Sequence, residues 1–400
     1  MRGGTNVGGV AGGHLSALDG VRGVAILLVF SYHAIAYPGF WFLSGGFLGV
    51  DLFFVLSGFL ITTLLLREWD RNGWISLPGF YRRRALRLLP ALAVMLIGFA
   101  ILTTAFYGRT GLPWNPHSAL LVPLVLSAGY VSNIAQGWLG HGMPSSIRQL
   151  WSLATEEQFY LLWPALLILV LRLGRGRTRQ LVVVAALLAA ASAATRLGMA
   201  VSGVNYGHLY FAPETTLDEL FIGCLFGVWF VRGAPRPLSS LHFRRWATFA
   251  GCAFIGWATW SMDTWADPRL YRYVILLFAL ASGIVIFAAA TDSASFTARL
   301  LSVTPLRYFG RISYPLYLWH PLVFWFMPSL LIVLPSAIAV RLPPWTASRT
   351  VAIVVAVLVA EVSTRFVEQP FLRLKNKARD SDASVRSSTP LEASQAPVAH

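Results

Sequence analysis

The sequence predicts an all-α, polytopic membrane protein with about ten transmembrane helices and one re-entrant or interfacial segment. Of its 400 residues, 56% are hydrophobic and only 12% are charged, a balance that excludes an ordinary soluble multidomain protein. The formal net charge of +15 comes almost entirely from arginines in short connections between apolar stretches. That distribution is typical of membrane orientation, so no nucleic-acid partner is expected.

Ten apolar stretches are each long enough to cross a hydrocarbon core about 30 Å thick as one helix. They occupy residues 17–37, 47–67, 88–107, 150–171, 181–201, 216–231, 246–262, 271–290, 313–334 and 349–367. The second stretch contains or adjoins four glycines that no strand precedes and no lysine follows: Gly45, Gly46, Gly49 and Gly58. These glycines are therefore predicted to be close-packing positions between helices rather than a phosphate cradle.

An eleventh apolar segment, residues 118–135, is interrupted by Pro123, Gly129, Ser132 and Asn133. Counting it as a full span would place three later arginine-rich connections outside the cell, against the positive-inside rule. We therefore predict a re-entrant or interfacial segment, which needs protein or a cavity to cover its backbone at membrane depth.

The arginine-rich connections are predicted to be cytoplasmic, together with both termini. These connections are residues 67–87, 172–179, 232–245, 299–311 and 373–379. The two ends of the chain, residues 1–14 and 375–400, have no apolar face to bury and are predicted to be disordered cytoplasmic segments.

Arg22 and His33 lie in the first apolar stretch with ten residues between them. Eleven helical steps of roughly 100° return to within about 20° of the start, and eleven rises of about 1.5 Å span roughly 16 Å. Both side chains are therefore predicted on one helix face. Ionisable groups in a bilayer usually face a cavity or mark a functional path. The alternative is that Arg22 snorkels to the headgroups while His33 bonds a neighbouring helix.

The predicted topology gathers the other ionisable side chains of the spans at two depths. Five carboxylates are predicted near the level of His33, in the outer half: Asp51, Glu156, Glu157, Asp218 and Glu219. Four arginines are predicted beside Arg22 at the cytoplasmic end, with His320 about two turns in from that end on the ninth span: Arg82, Arg83, Arg84 and Arg87. Asp218 and Glu219 fit equally well as charges that complement a helix N-terminus.

This layout suits an anionic donor with a long arm, such as acyl-coenzyme A. Guanidinium groups would hold its phosphates, and its thioester would lie about 16 Å deeper. A neutral imidazole at His33 can take the proton of an incoming hydroxyl, and a carboxylate can orient the ring. Glu156 is the first choice for that carboxylate and Asp51 the second. The eight histidines show no metal-ligand spacing, so no metal is expected.

Five blocks of the sequence, in order, resemble the acyltransferase family 3 membrane proteins. These bacterial O-acyltransferases modify surface polysaccharides, peptidoglycan and some macrolide antibiotics. The blocks are LDGVRGVAILLVFSYHA at 18–34, GGFLGVDLFFVLSGFLIT at 45–62, FYRRRALRLLP at 80–90, WSLATEEQFYLLWP at 151–164 and ISYPLYLWHPL at 312–322. The resemblance implies one transmembrane acyltransferase domain over residues 15–374.

The resemblance also implies roles for particular residues. It implies that Arg22 and His33 are essential. It also implies a functional arginine pair, which best fits Arg84 and Arg87, with Arg83 as the alternative. Finally, it implies that Glu156 is important.

Two further positions match the family only in part. His320 matches a late histidine of the family, whose role stays open between function and packing. At Asp218 the match is incomplete, because Thr216 stands where many relatives carry arginine.

The expected protein is thus a multi-pass enzyme of the bacterial cytoplasmic membrane, surrounded by membrane lipids. It would transfer an acetyl or other short acyl group from acyl-coenzyme A, a co-substrate, with no permanently bound cofactor. The expected acceptor is a hydroxyl of a carbohydrate, a cell-surface glycan or a macrolide. Relatives that act on polymers often carry an extra domain after the membrane part, whereas this chain ends in a short tail. The alternative function is a proton-coupled secondary transporter.

Overall fold

The computed structural model describes residues 16–35, 41–110, 115–332 and 344–373. Within these ranges every regular element is helical, which confirms the all-α prediction. The two ends predicted to be disordered, residues 1–14 and 375–400, lie outside the described residues.

Sixteen α-helices occur in the described ranges, and several carry a short 3₁₀ or π-helical turn at one end. They are α1 Ser16–Ile35, α2 Gly49–Asn72, α3 Leu77–Thr110, α4 Val122–Ala128, α5 Ser132–Gly137, α6 Leu150–Leu173, α7 Thr178–Val201, α8 Tyr206–Phe211, α9 Leu217–Arg232, α10 Arg236–Ser239, α11 Leu241–Ser261, α12 Ile275–Thr291, α13 Phe296–Leu301, α14 Thr304–Arg311, α15 Ser313–Ile332 and α16 Pro344–Ser363.

Seven helical segments of the described chain are long and apolar enough to cross a membrane. They are Ser16–Ala34, Ser44–Asn72, Leu77–Gly108, Leu150–Leu173, Thr178–Val201, Leu270–Thr291 and Ser348–Arg373. The other three predicted spans coincide with α9, α11 and α15. The protein is therefore a polytopic membrane protein, as the sequence predicted.

The interrupted segment around residues 118–135 forms two short helices, α4 and α5, rather than one span. The helical conformation is interrupted at Tyr130, whose backbone adopts a φ of 54°. Side chains of α6 cover the break: Gln158 Nε2 donates to the Tyr130 carbonyl at 2.8 Å, and Asn133 Nδ2 donates to Thr155 Oγ1 at 3.1 Å. The free backbone carbonyl is thus satisfied by protein, as an irregular segment at membrane depth requires.

The four glycines at the start of and within the second span are confirmed as close-packing positions. A Cβ added at any of them would lie between 1.9 and 2.6 Å from a backbone oxygen of a neighbouring segment. At Gly58, for example, that oxygen belongs to Leu220 of α9, and a Cβ at Gly223 of α9 would meet the Val55 oxygen at 2.1 Å. Helices α2 and α9 therefore pack backbone against backbone.

Helix α1 makes an equally close contact with the segment that leads into α15. A Cβ at Gly20 would lie 1.6 Å from the Leu301 oxygen, and one at Gly310 would lie 1.9 Å from the Asp19 oxygen. These contacts leave no space for a side chain between α1 and α14. They fix the position along the bundle of the next turn of α1, which carries Arg22.

Candidate active site

Three cavities meet at the side chains of Arg22 and Arg87. The first, of about 430 Å³, lies against α2 and is called here the α2-side lobe. The second, of about 690 Å³, lies against α14 and is called the α14-side lobe. The third, of about 90 Å³, extends between α2, α6 and α15 and is called the inner pocket. Because all three share two arginines, they form one branched space around a positive centre.

The two lobes differ in their charge. The α2-side lobe adds Arg67, Arg71, Arg83 and Arg84 to the shared arginines, and Asp19 is its acidic side chain. The α14-side lobe adds Arg307 and Arg311, but it contains both Asp19 and Glu368. The excess of positive charge is therefore larger on the α2 side.

Within the described residues the shared arginines form no direct ion pair, although the carboxylates of Asp19 and Glu368 line the same cavities. Arg22 and Arg87 make no salt bridge to any residue in the part of the chain that the structure describes. A third arginine, Arg84, is held by Glu157 at 3.5 Å and lies 3.7 Å from the centre of the Tyr160 ring. Cations in a membrane protein are normally paired, because an isolated buried charge costs several kcal/mol. Unpaired guanidinium groups facing a cavity are therefore suited to an anionic ligand.

The inner pocket is lined by polar groups from α6 and α15 as well as by the arginines. Glu156 Oε1 accepts a hydrogen bond from Ser57 Oγ at 2.5 Å. Further along the pocket, Ser152 Oγ and Tyr317 Oη lie 2.5 Å apart, and Tyr317 Oη donates to the Gln149 carbonyl at 2.7 Å. The pocket thus leads from the guanidinium groups towards Tyr317.

Tyr317 lies one helical turn before His320, and their ring centres are 6.0 Å apart. The His320 ring in turn packs against His33, with ring centres 4.9 Å apart and His320 Nε2 placed 3.3 Å from His33 Nδ1. His33 is accessible, whereas His320 is fully buried. Tyr317, which lines the inner pocket, therefore separates that pocket from a pair of imidazoles, of which His33 is the exposed one.

The structure divides the single carboxylate layer that the sequence predicted. Glu156 and Glu157 face Arg84 and belong to the arginine side. The His33 Nδ1 atom faces the Val29 carbonyl at 2.9 Å and His320 rather than Glu156. The face of α6 that carries Glu156 packs on Ser57 of α2. The predicted contact between Glu156 and His33 is therefore replaced by a hydrogen bond between Glu156 and Ser57.

The remaining carboxylates form a separate buried cluster. Asp218 makes a two-pronged ion pair with Arg196 of α7, with nitrogen–oxygen distances of 2.5 and 2.7 Å. Asp51 and Glu219 contact each other next to this pair. The sequence left the role of Asp218 open because of Thr216, and the structure gives Asp218 a basic partner, Arg196, from another helix.

Three other placements were not foreseen. His320 was predicted about two turns in from the cytoplasmic end of its span, which agrees with its seven-residue offset of about 10 Å from the start of α15, but its contact with His33 was not predicted. Arg196 and Tyr317 were not singled out. Arg196 carried a visible signal, since it is a charge inside an apolar stretch. Tyr317 lies three residues before His320, a spacing that puts both on one helix face.

Comparison with known proteins gives one family and a set of relatives. A family model described as an acyltransferase domain matches residues 15–362. The peptidoglycan O-acetyltransferase OatA of Listeria monocytogenes is 34% identical over 375 residues, which cover 89% of this chain and 56% of the relative. The putative peptidoglycan O-acetyltransferase YrhL of Bacillus subtilis is 32% identical over 362 residues, covering 89% and 55%.

The O-acetyltransferase OatA of Staphylococcus aureus is 30% identical over 371 residues, covering 91% of this chain and 58% of the relative. The chain thus spans a little over half the length of these curated relatives. No solved structure matches it significantly.

Proposed function

The chain belongs to the acyltransferase 3 family, and on that premise we propose that it is a membrane O-acetyltransferase. It would carry an acetyl group from acetyl-coenzyme A to a hydroxyl of a cell-envelope glycan. The observation that carries this proposal is the branched cavity around Arg22 and Arg87, which form no ion pair in the described residues, together with the exposed imidazole of His33 further along the same helix.

The donor site follows from the charge and shape of the cavity. Arg22, Arg84 and Arg87 would bind the phosphates of coenzyme A through charge-assisted hydrogen bonds. The pantetheine arm would pass through the inner pocket towards Tyr317, along an interval of roughly 16 Å set by the rise of α1. The relatives, which are named as O-acetyltransferases, favour acetyl as the group transferred.

The transfer needs one base. His33 would take the proton of the acceptor hydroxyl while the hydroxyl oxygen attacks the thioester carbonyl carbon. Collapse of the tetrahedral intermediate breaks the carbon–sulfur bond, and the departing thiolate takes the proton back from the imidazolium. The products are an acetyl ester and free coenzyme A, so atoms and protons balance. Glu156, held by Ser57, would set the charge of the inner pocket rather than orient the base.

The acceptor proposal comes from the relatives. Two of the three are named for action on peptidoglycan. We therefore propose a glycan of the cell envelope, with peptidoglycan first, in preference to a macrolide. The positive-inside rule would place the arginine end, and hence the donor, in the cytoplasm, with the acceptor reaching His33 from the opposite side.

Purified protein in sealed vesicles tests the proposal with radiolabelled acetyl-coenzyme A and soluble peptidoglycan fragments. The expected result is labelled ester and one free thiol per transfer, with donor consumed only from the side that carries the arginine end. His33→Ala should abolish transfer while the protein stays folded, and His242→Ala, an exposed histidine of α11, is the matched control. Full transfer by His33→Ala would refute the mechanism. Proton transport without thiol release would favour the transporter alternative.

A further inference from the structure

We propose that His320 is a positioning residue for the reaction. It would hold the His33 ring in place as a second acceptor beside the Val29 carbonyl, which sets the tautomer with His33 Nε2 free to act as the base, and it would stabilise the positive charge that forms on His33 during transfer. This inference rests on the proposed function, since it requires His33 to be the base. The contact between the two imidazole rings and two backbone carbonyls carry it.

The carbonyls determine which nitrogen of each ring carries a hydrogen. His33 Nδ1 lies 2.9 Å from the Val29 oxygen, and His320 Nδ1 lies 2.8 Å from the Leu316 oxygen. A carbonyl oxygen only accepts hydrogen bonds, so each Nδ1 must be the protonated nitrogen of its neutral ring. The Nε2 atom of each histidine is then an unprotonated acceptor.

The contact between the rings follows from this assignment. His320 Nε2 lies 3.3 Å from His33 Nδ1, so its lone pair accepts from the same N–H that points at the Val29 carbonyl. The N–H of His33 is thus shared by two acceptors on one side of the ring. The opposite nitrogen, His33 Nε2, faces away from both and is the free base.

His320 occupies the place that a carboxylate holds in many catalytic triads. Its neighbours explain why it can stay in place as a neutral group. The rings of Phe30, Tyr317 and Phe324 surround it at centre-to-centre distances of 5.9 to 6.0 Å. When His33 gains a proton, its N–H becomes a stronger donor, and His320 Nε2 is the side-chain acceptor already aligned with it.

A packing histidine would have a different consequence. If His320 only filled space, a ring of similar size would replace it, and the tautomer of His33 would stay fixed by Val29 alone. If His320 positions the base, loss of its acceptor nitrogen should slow the chemical step. Donor binding should be unaffected, because the arginines lie in another part of the cavity.

The test compares His320→Phe, which keeps an aromatic ring, with His320→Gln, which keeps an acceptor. We expect kcat to fall about 10- to 100-fold in the Phe variant, with KM for acetyl-coenzyme A within about twofold of wild type. The Gln variant should recover part of the lost kcat. Unchanged kcat in a folded Phe variant would overturn the inference, while loss of transfer in His33→Ala would still support the proposed function.

Nitrogen NMR of ¹⁵N-histidine-labelled wild-type protein measures the histidine tautomers directly. Variants are needed only to assign the histidine signals. The expected spectrum shows His33 with a protonated Nδ1 and a bare Nε2, and the same tautomer for His320. A bare Nδ1 on His33 would overturn the inference even if both His320 variants failed to fold.

Discussion

Two regions of this protein hold arginine inside the membrane bundle, and they treat its charge in opposite ways. Arg196 is 1% exposed, and both of its terminal nitrogens bind the carboxylate of Asp218. Arg22 and Arg87 line cavities and have no ion pair in the described ranges. The paired charge of Arg196 is neutralised within the protein and contributes to the folded structure. The charges of Arg22 and Arg87 face a cavity, where an anionic ligand can pair with them.

An arginine in a membrane-spanning segment therefore has to be interpreted together with its partners. The residue type alone indicates an expensive group with some purpose. The partner decides the purpose, and partners come from other helices. Removing one charge at a time should therefore affect the two kinds of arginine differently.

The largest expected effect belongs to the matched pair. Asp218→Ala leaves the Arg196 guanidinium buried without a counter-ion, which should lower the free energy of unfolding by about 3–5 kcal/mol. Thermal unfolding in detergent would measure the loss. The double variant Arg196→Met with Asp218→Leu should recover most of it, because apolar replacement of a whole buried pair is often neutral. Loss of transfer with unchanged thermal stability would instead place Asp218 in the catalytic machinery.

The unmatched arginines should show the reverse pattern. Arg87→Ala removes charge-assisted hydrogen bonds of about 1.5–3 kcal/mol, so KM for acetyl-coenzyme A should rise about 10- to 100-fold. The melting temperature should stay near that of wild type, since no protein partner is lost. Arg299→Ala, an exposed arginine outside the cavities, is the control. A large drop in stability would show that Arg87 belongs with Arg196.

The smallest effect should distinguish the two lobes. Arg71→Ala removes charge from the more positive α2-side lobe and should raise KM for acetyl-coenzyme A about 3- to 10-fold, less so at high salt. Arg311→Ala should have less effect, because Glu368 already offsets charge in the α14-side lobe. Steady-state kinetics at two salt concentrations would measure KM for both variants. A larger rise in KM for Arg311→Ala than for Arg71→Ala would indicate that the phosphates bind in the α14-side lobe.

Much of this arrangement was predictable from local patterns. Apolar stretches gave the helices, and the interruption at Gly129 gave the broken segment. The ten-residue spacing of Arg22 and His33 gave one helix carrying both. The pairing of faces was not predictable in the same way, because periodicity shows which residues share a face but not which helix packs there.

Three contacts illustrate that limit. His320 meets His33, Arg196 meets Asp218, and Glu156 meets Ser57, each across a sequence separation that no local signal spans. Each contact depends on how whole helices dock, which is set by close packing at glycines such as Gly58. The sites therefore became visible only once the bundle was assembled.

The glycine contacts between α1 and α14 have a consequence for substrate choice. The rise of α1 sets the interval between Arg22 and His33, and the backbone contacts at Gly20 and Gly310 keep α1 from sliding, so both ends of that interval stay fixed relative to the surrounding helices. Under the proposed function, this fixed interval would select acyl carriers by the length of the arm between phosphate and thioester. A thioester on a truncated arm would occupy the anchor and block it without ever presenting its carbonyl to the acceptor.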